Sequence, residues 1–104
     1  MRDEIEHIAR LLSYDGPTAT ELIQEAVEKD SKYTVTIQGD ITILTIVATL
    51  AYSLEVTDVY QYNLEGQLIK QTLTTNGKER TIFDKYKEAK DTLTKMHLRN
   101  KKVS

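Results

Sequence analysis

The residues able to carry chemistry are few: two histidines, a carboxylate-rich N-terminus and scattered serines. Asp3 and His7 stand four apart, so on a helix both could reach one metal ion. A closed zinc site takes four ligands, and the flanking sequence supplies no further set. Asp3, Glu4 and Glu6 have a simpler use, because carboxylates in a first helical turn oppose the positive end of the helix dipole. His97 follows Met96 near the end of the last apolar-periodic segment, where a cation suits the dipole's negative end. General-base chemistry needs a base beside a nucleophile or substrate, and nothing places Ser13, Ser31 or Ser53 beside either histidine. No P-loop, G-x-G-x-x-G, G-x-S-x-G or H-E-x-x-H pattern occurs, and four glycines give no phosphate-cradling loop. With no cysteine, thiolate metal sites, iron–sulfur clusters and disulfides are excluded. The expectation is therefore a protein without catalytic residues, metal or cofactor.

The elements that would position any site follow from periodicity. Residues 2–13 read as a helix with Ile5, Ile8 and Leu12 on one stripe and Leu11 flanking it. Asp15, Gly16 and Pro17 stop it, and Thr18 with Glu21 begins a capping box ahead of Leu22, Ile23, Ala26 and Val27. Residues 1–30 are thus expected as a helical hairpin. A helix-turn-helix for DNA does not fit, since Glu21, Glu25 and Glu28 on the second helix would repel phosphates.

From residue 33 the period becomes two. Tyr33, Val35 and Ile37 alternate with Thr34, Thr36 and Gln38 before a Gly39-Asp40 turn. Residues 41–52 allow a helical reading through Ile43, Ile46, Val47, Leu50 and Leu54. However, seven of the nine residues at 41–49 are β-branched, which favours a central strand. Two further strands flank Leu64, Glu65 and Gly66, and Asn76-Gly77 predicts a type I′ hairpin turn into a fifth. Residues 84–98 form an amphipathic helix carrying Tyr86, Ala89, Leu93 and Met96, and 99–104 a basic tail. The fold class is α+β: a single domain with an N-terminal helical hairpin, a four- to five-stranded antiparallel meander over 33–83, and a C-terminal amphipathic helix.

The segment Tyr60-Gln61-Tyr62-Asn63-Leu64-Glu65-Gly66-Gln67-Leu68 resembles one unit of a tyrosine–aspartate (YD) repeat, with Asn63 where that pattern prefers Asp. Such repeats work as long arrays, and a hairpin with an Asn/Gly turn produces the same spacing, so no function is carried over.

The chain has 104 residues and a formal charge of −2. That small value hides a division. Residues 1–52 hold four basic against nine acidic side chains, and residues 53–104 hold ten against seven. Lys95, Arg99, Lys101 and Lys102 form a basic end able to meet phosphates. A nucleic-acid module usually has a pI above about 9, whereas this chain's is 5.7. Nucleic acid is thus the alternative partner, not the first. The first is protein. Predicted strand 41–52 is apolar on both faces, with Ile41, Ile43, Val47 and Ala51 on one and Leu44, Ile46, Ala48, Leu50 and Tyr52 on the other, so each face needs cover. A second copy could provide it, or helices on opposite faces. Ile43 and Val47, with Tyr60 and Tyr62 whose rings combine apolar area and a polar tip, are the candidate contact residues. The longest apolar stretch is too short and too rich in Thr for the ~20 residues of a bilayer span, and the acidic, helix-like opening MRDEIEHIAR gives no expectation of a secretory leader. A cytoplasmic protein acting through protein contact, as a homodimer or on a larger partner, is the expectation.

Overall fold

The computed structural model describes the backbone of residues 2–103 and the side chains of residues 2–97. Three helices and a five-stranded antiparallel sheet follow one another as α1 (Arg2–Ser13), α2 (Ala19–Glu28), β1 (Lys32–Gln38), β2 (Ile41–Thr49), β3 (Glu55–Tyr62), β4 (Leu68–Thr75), β5 (Lys78–Asp84) and α3 (Lys85–Val103). Strand order in the sheet equals order in the chain, so every connection is a hairpin, and β1 and β5 form the edges. The α+β class, the meander and the flanking helices are as the sequence predicts.

Local chemistry explains most boundaries. Thr18 caps α2, its hydroxyl accepting from the Glu21 amide at 3.1 Å. Asn76 and Gly77 both take positive φ, 52° and 75°, as a type I′ turn requires. Asp84 caps α3 by accepting from the Lys87 amide at 3.1 Å. Asn63 shapes the β3–β4 turn, its side chain accepting from the Gln67 amide at 2.9 Å while its carbonyl accepts from Gly66 at 3.0 Å.

Four expectations about the elements need correction. On α3 only Ala89 of the predicted stripe is buried, while Tyr86 and Leu93 are exposed. Strand β2 ends at Thr49 rather than Tyr52: the β-branched run stops there, and Ala51–Ser53 form a tight turn with Tyr52 and Ser53 in the left-handed region. On α1 Leu11 is buried and Glu4 and Ile8 are half-buried, leaving Ile5 and Leu12 exposed. The reason is tertiary, because α1 lies along α3. The α3 backbone is helical through Val103, so residues 99–103 continue the helix and are not a separate tail.

The sheet's two faces differ sharply. Directly paired residues share a face, and one row across it is Val35, Leu44, Tyr60, Gln71 and Phe83. Leu44, Tyr60, Tyr62 and Leu68 form the core on this side, covered by Ala19, Leu22 and Ile23 of α2. A bulge opposite Tyr62 lets both Leu68 and Ile69 turn inward.

The linker between α1 and α2 is stitched to the same region. Leu68 donates its amide to the Asp15 carbonyl at 2.8 Å, and the Tyr62 hydroxyl donates to the Pro17 carbonyl at 2.7 Å. Tyr14 meets Phe83 edge to face, with ring centres 5.4 Å apart. Lys85 is 1% exposed and donates from Nζ to the Leu12 carbonyl, tying the start of α3 to the end of α1.

Candidate interaction surface

The reverse face of the sheet is built by the other alternate residues. One row crosses all five strands as Thr34, Thr45, Val59, Thr72 and Thr81. The rows on either side are Thr36, Ile43, Gln61, Lys70, Asp84 and Lys32, Val47, Thr57, Thr74, Glu79. β-Branched residues dominate because they suit a pleated surface whether or not it is covered. Threonine supplies a methyl and a hydroxyl together, so the face is neither fully apolar nor strongly hydrated. Its centre is Ile43, Val47 and Val59, with Ile41 beside them.

Exposure separates the two sides. Every buried member of the core cluster belongs to the α2 side, whereas on the reverse face only Thr72 is buried. Ile41, Ile43, Val47 and Val59 are half-buried, shielded by their strand neighbours. Charges of both signs lie towards the ends of this face, with Lys32 and Lys70 against Glu55, Glu79 and Asp84.

The four contact candidates therefore do not form one site. Ile43 and Val47 lie on the open face of β2, on either side of Thr45. Tyr60 and Tyr62 are 9% and 3% exposed on the opposite face, filling the core under α2. The period of two places two residues on one face but does not say which face a helix will cover. Burial pushes both phenols up to about 12; beside Tyr60 the Asp58 carboxylate adds to the shift, and beside Tyr62 the Tyr60 ring does so. They are structural residues.

Of the basic group, Lys95 is exposed on α3, and the side chains of Arg99, Lys101 and Lys102 lie outside the described residues. The division of charge has an internal counterpart, since acidic α1 lies against basic α3.

A shallow cleft of about 130 Å³ lies between α2 and strands β2 and β3. Leu22, Ala26 and Ile46 wall it, and Asp58, Tyr60 and the Glu25–Lys29 ion pair give it polar groups. Burial raises the Asp58 carboxyl above its ordinary range, partly offset by the Gln71 amide donating to it at 3.4 Å. Small-molecule sites usually enclose about 300–1,000 Å³, so this cleft is too small for a ligand of ordinary size. Neither His7 nor His97 lines it. Among the described residues no group of three or more His, Cys, Asp or Glu side chains is placed to hold a metal ion. Also among them, no helix is long and apolar enough to cross a membrane.

Sequence reasoning placed Tyr52 on a face of the strand, whereas it is fully exposed in the β2–β3 connection with φ 62°. The signal available was the end of the β-branched run at Thr49. The chain matches no known protein family, no curated protein and no solved structure.

Proposed function

We propose that this chain is a non-catalytic, cytoplasmic interaction protein that works by protein–protein contact through the open face of its sheet, by self-association or as an adaptor or regulator of a larger partner. The observation that carries the reading is the uncovered centre formed by Ile43, Val47 and Val59 on a sheet whose other face packs on α2. Five strands spaced ~4.8 Å apart and about seven residues long at ~3.3 Å per residue offer roughly 550 Å². Two partners would bury about 1,100 Å², enough for a specific but modest contact. The apolar middle with charged residues towards the strand ends has the anatomy of such a patch.

Val47→Lys places a charge at that centre without touching the core. Affinity capture from a lysate should retain a protein on the unaltered chain and lose at least tenfold of it on the variant, with thermal stability unchanged. Equal retention by both overturns the reading, as does no retained protein together with a self-association that Val47→Lys leaves unchanged. Nucleic acid retained in its place, and released by neutralising Lys95, Arg99, Lys101 and Lys102 together, would transfer the function to the basic end of α3.

A further inference from the structure

The sheet has two edges, and the sequence treats them differently. Strand β5 begins Lys78, Glu79, Arg80, and a register shift against β4 between Gln71 and Thr72 distorts its ladder. Charges and bulges of this kind are how sheets discourage further pairing. Strand β1 has neither: its register with β2 is unbroken over all seven residues, and Lys32 is its only charge. It carries no proline. Its α2-side residues Tyr33, Val35 and Ile37 are 45%, 46% and 73% exposed.

The backbone of that edge is also set for pairing. The two-residue Gly39-Asp40 turn closes with Gln38 opposite Ile41 as a hydrogen-bonded pair, and such pairs alternate along an antiparallel ladder. Thr36 and Thr34 therefore bond inward to β2. Tyr33, Val35 and Ile37 direct their amides and carbonyls outward, to the free edge.

We infer that β1 pairs antiparallel with β1 of a second copy, about a two-fold axis at Val35, to make a continuous ten-stranded sheet. The inference goes beyond the proposed function, because it places self-association at the edge of the sheet and not on its open face, and the experiment below separates the two. The occupant is a second copy because the strand is complementary to itself. Read about Val35, Tyr33 falls opposite the partner's Ile37, Thr34 opposite the partner's Thr36, and Lys32 opposite the partner's Gln38. Aromatic–β-branched and Thr–Thr pairs are the favourable cross-strand combinations, and no like charges face each other within the strands. Lys32 also gains the partner's Asp40 as a diagonal neighbour. Three outward-facing pairs supply about six main-chain hydrogen bonds, and the exposed apolar row of each copy covers the other. A contact of this size is below the standard ~1,600 Å², so the expected dissociation constant is micromolar.

Sedimentation or light scattering should show a concentration-dependent mass approaching twice 11.9 kDa. Val35→Lys should return it to a single chain. Val35→Pro should do the same while keeping the fold, because it removes an amide that serves only the outer edge. The cysteine-free background allows a test of register. Val35→Cys should oxidise to a covalent dimer, since hydrogen-bonded partners lie about 5.5 Å apart between Cα atoms, within disulfide reach. Thr34→Cys should not, because its own copy lies two positions away. One-chain mass at every concentration, or equal cross-linking of Val35→Cys and Thr34→Cys, overturns the inference. A dimer lost in Val47→Lys but kept in Val35→Lys overturns it too, while leaving the open-face reading standing.

Discussion

Adding a single methyl group at Gly16 should destabilise the protein by about 2–5 kcal/mol, and two separable effects contribute. Gly16 has φ +72°, a left-handed conformation that costs an L-residue roughly 1–2 kcal/mol. A Cβ there would stand 2.7 Å from the Leu68 Cβ and 3.0 Å from its Cδ2. Leu68 cannot retreat easily: it is 2% exposed, and its amide is held by the neighbouring Asp15 carbonyl at 2.8 Å. Overpacking of this kind costs about 1–3 kcal/mol. Gly77 provides the control, with φ +75° and nothing within 4 Å of its added Cβ, so Gly77→Ala should show the conformational cost alone. Urea unfolding followed by circular dichroism measures both variants. The loss for Gly16→Ala should exceed that for Gly77→Ala by about 1–3 kcal/mol. Equal losses would refute the claim that the α1–α2 linker is pressed against β4.

Tyr62→Phe should cost about 1 kcal/mol by removing the hydroxyl donated to the Pro17 carbonyl. It should also reduce alkaline destabilisation: with the folded phenol pushed up to about 12 by burial and the unfolded one near 10, the burial-linked stability is whole below about pH 10 and lost as pH rises towards 12. Ultraviolet titration of phenolate alongside unfolding curves checks both. Burial raises the folded Asp58 carboxyl, so its proton-linked stability is present below the unfolded value, near 3.9, and lost as pH rises through the folded one. Asp58→Asn should therefore be more stable than the parent at neutral pH, with the difference narrowing on acidification; a pH-independent difference in melting temperature would contradict this.

Features with a local cause were legible in the residues themselves. Thr18 with Glu21 marks a helix start, and Asn76-Gly77 marks a hairpin, because each satisfies its own backbone within four residues. The two-sided apolar character of β2 was equally legible, since alternation assigns Ile43 and Val47 to one face and Leu44 and Ile46 to the other. Choices settled by distant partners were not. Leu11 is buried instead of Ile5 and Leu12 because α3 lies on that side, seventy and more residues away. Tyr60 and Tyr62 are equally good as core or surface residues until α2 is laid over one face. The bulge opposite Tyr62, which brings both Leu68 and Ile69 inward, leaves no mark in the alternation of β4.

The incompleteness of the fold has a geometric cause. Ten residues of α2 make a helix about 15 Å long and ~10 Å wide. Five strands span about 24 Å at ~4.8 Å each, so such a helix shields roughly two of them. It shields β2 and β3, where Leu44, Tyr60 and Tyr62 are buried. α3 lies against α1, leaving the apolar row of β1 exposed on one side and the threonine-framed centre of β2 and β3 open on the other. A longer second helix would cover Tyr33 and Val35, and a further layer would cover Ile43 and Val47. Both surfaces instead combine β-branched side chains with an outward-facing backbone or a fringe of charges of both signs, features that favour another polypeptide over bulk water. The small core and the two open surfaces are thus one property: the sheet is wider than the helices that this chain lays on it.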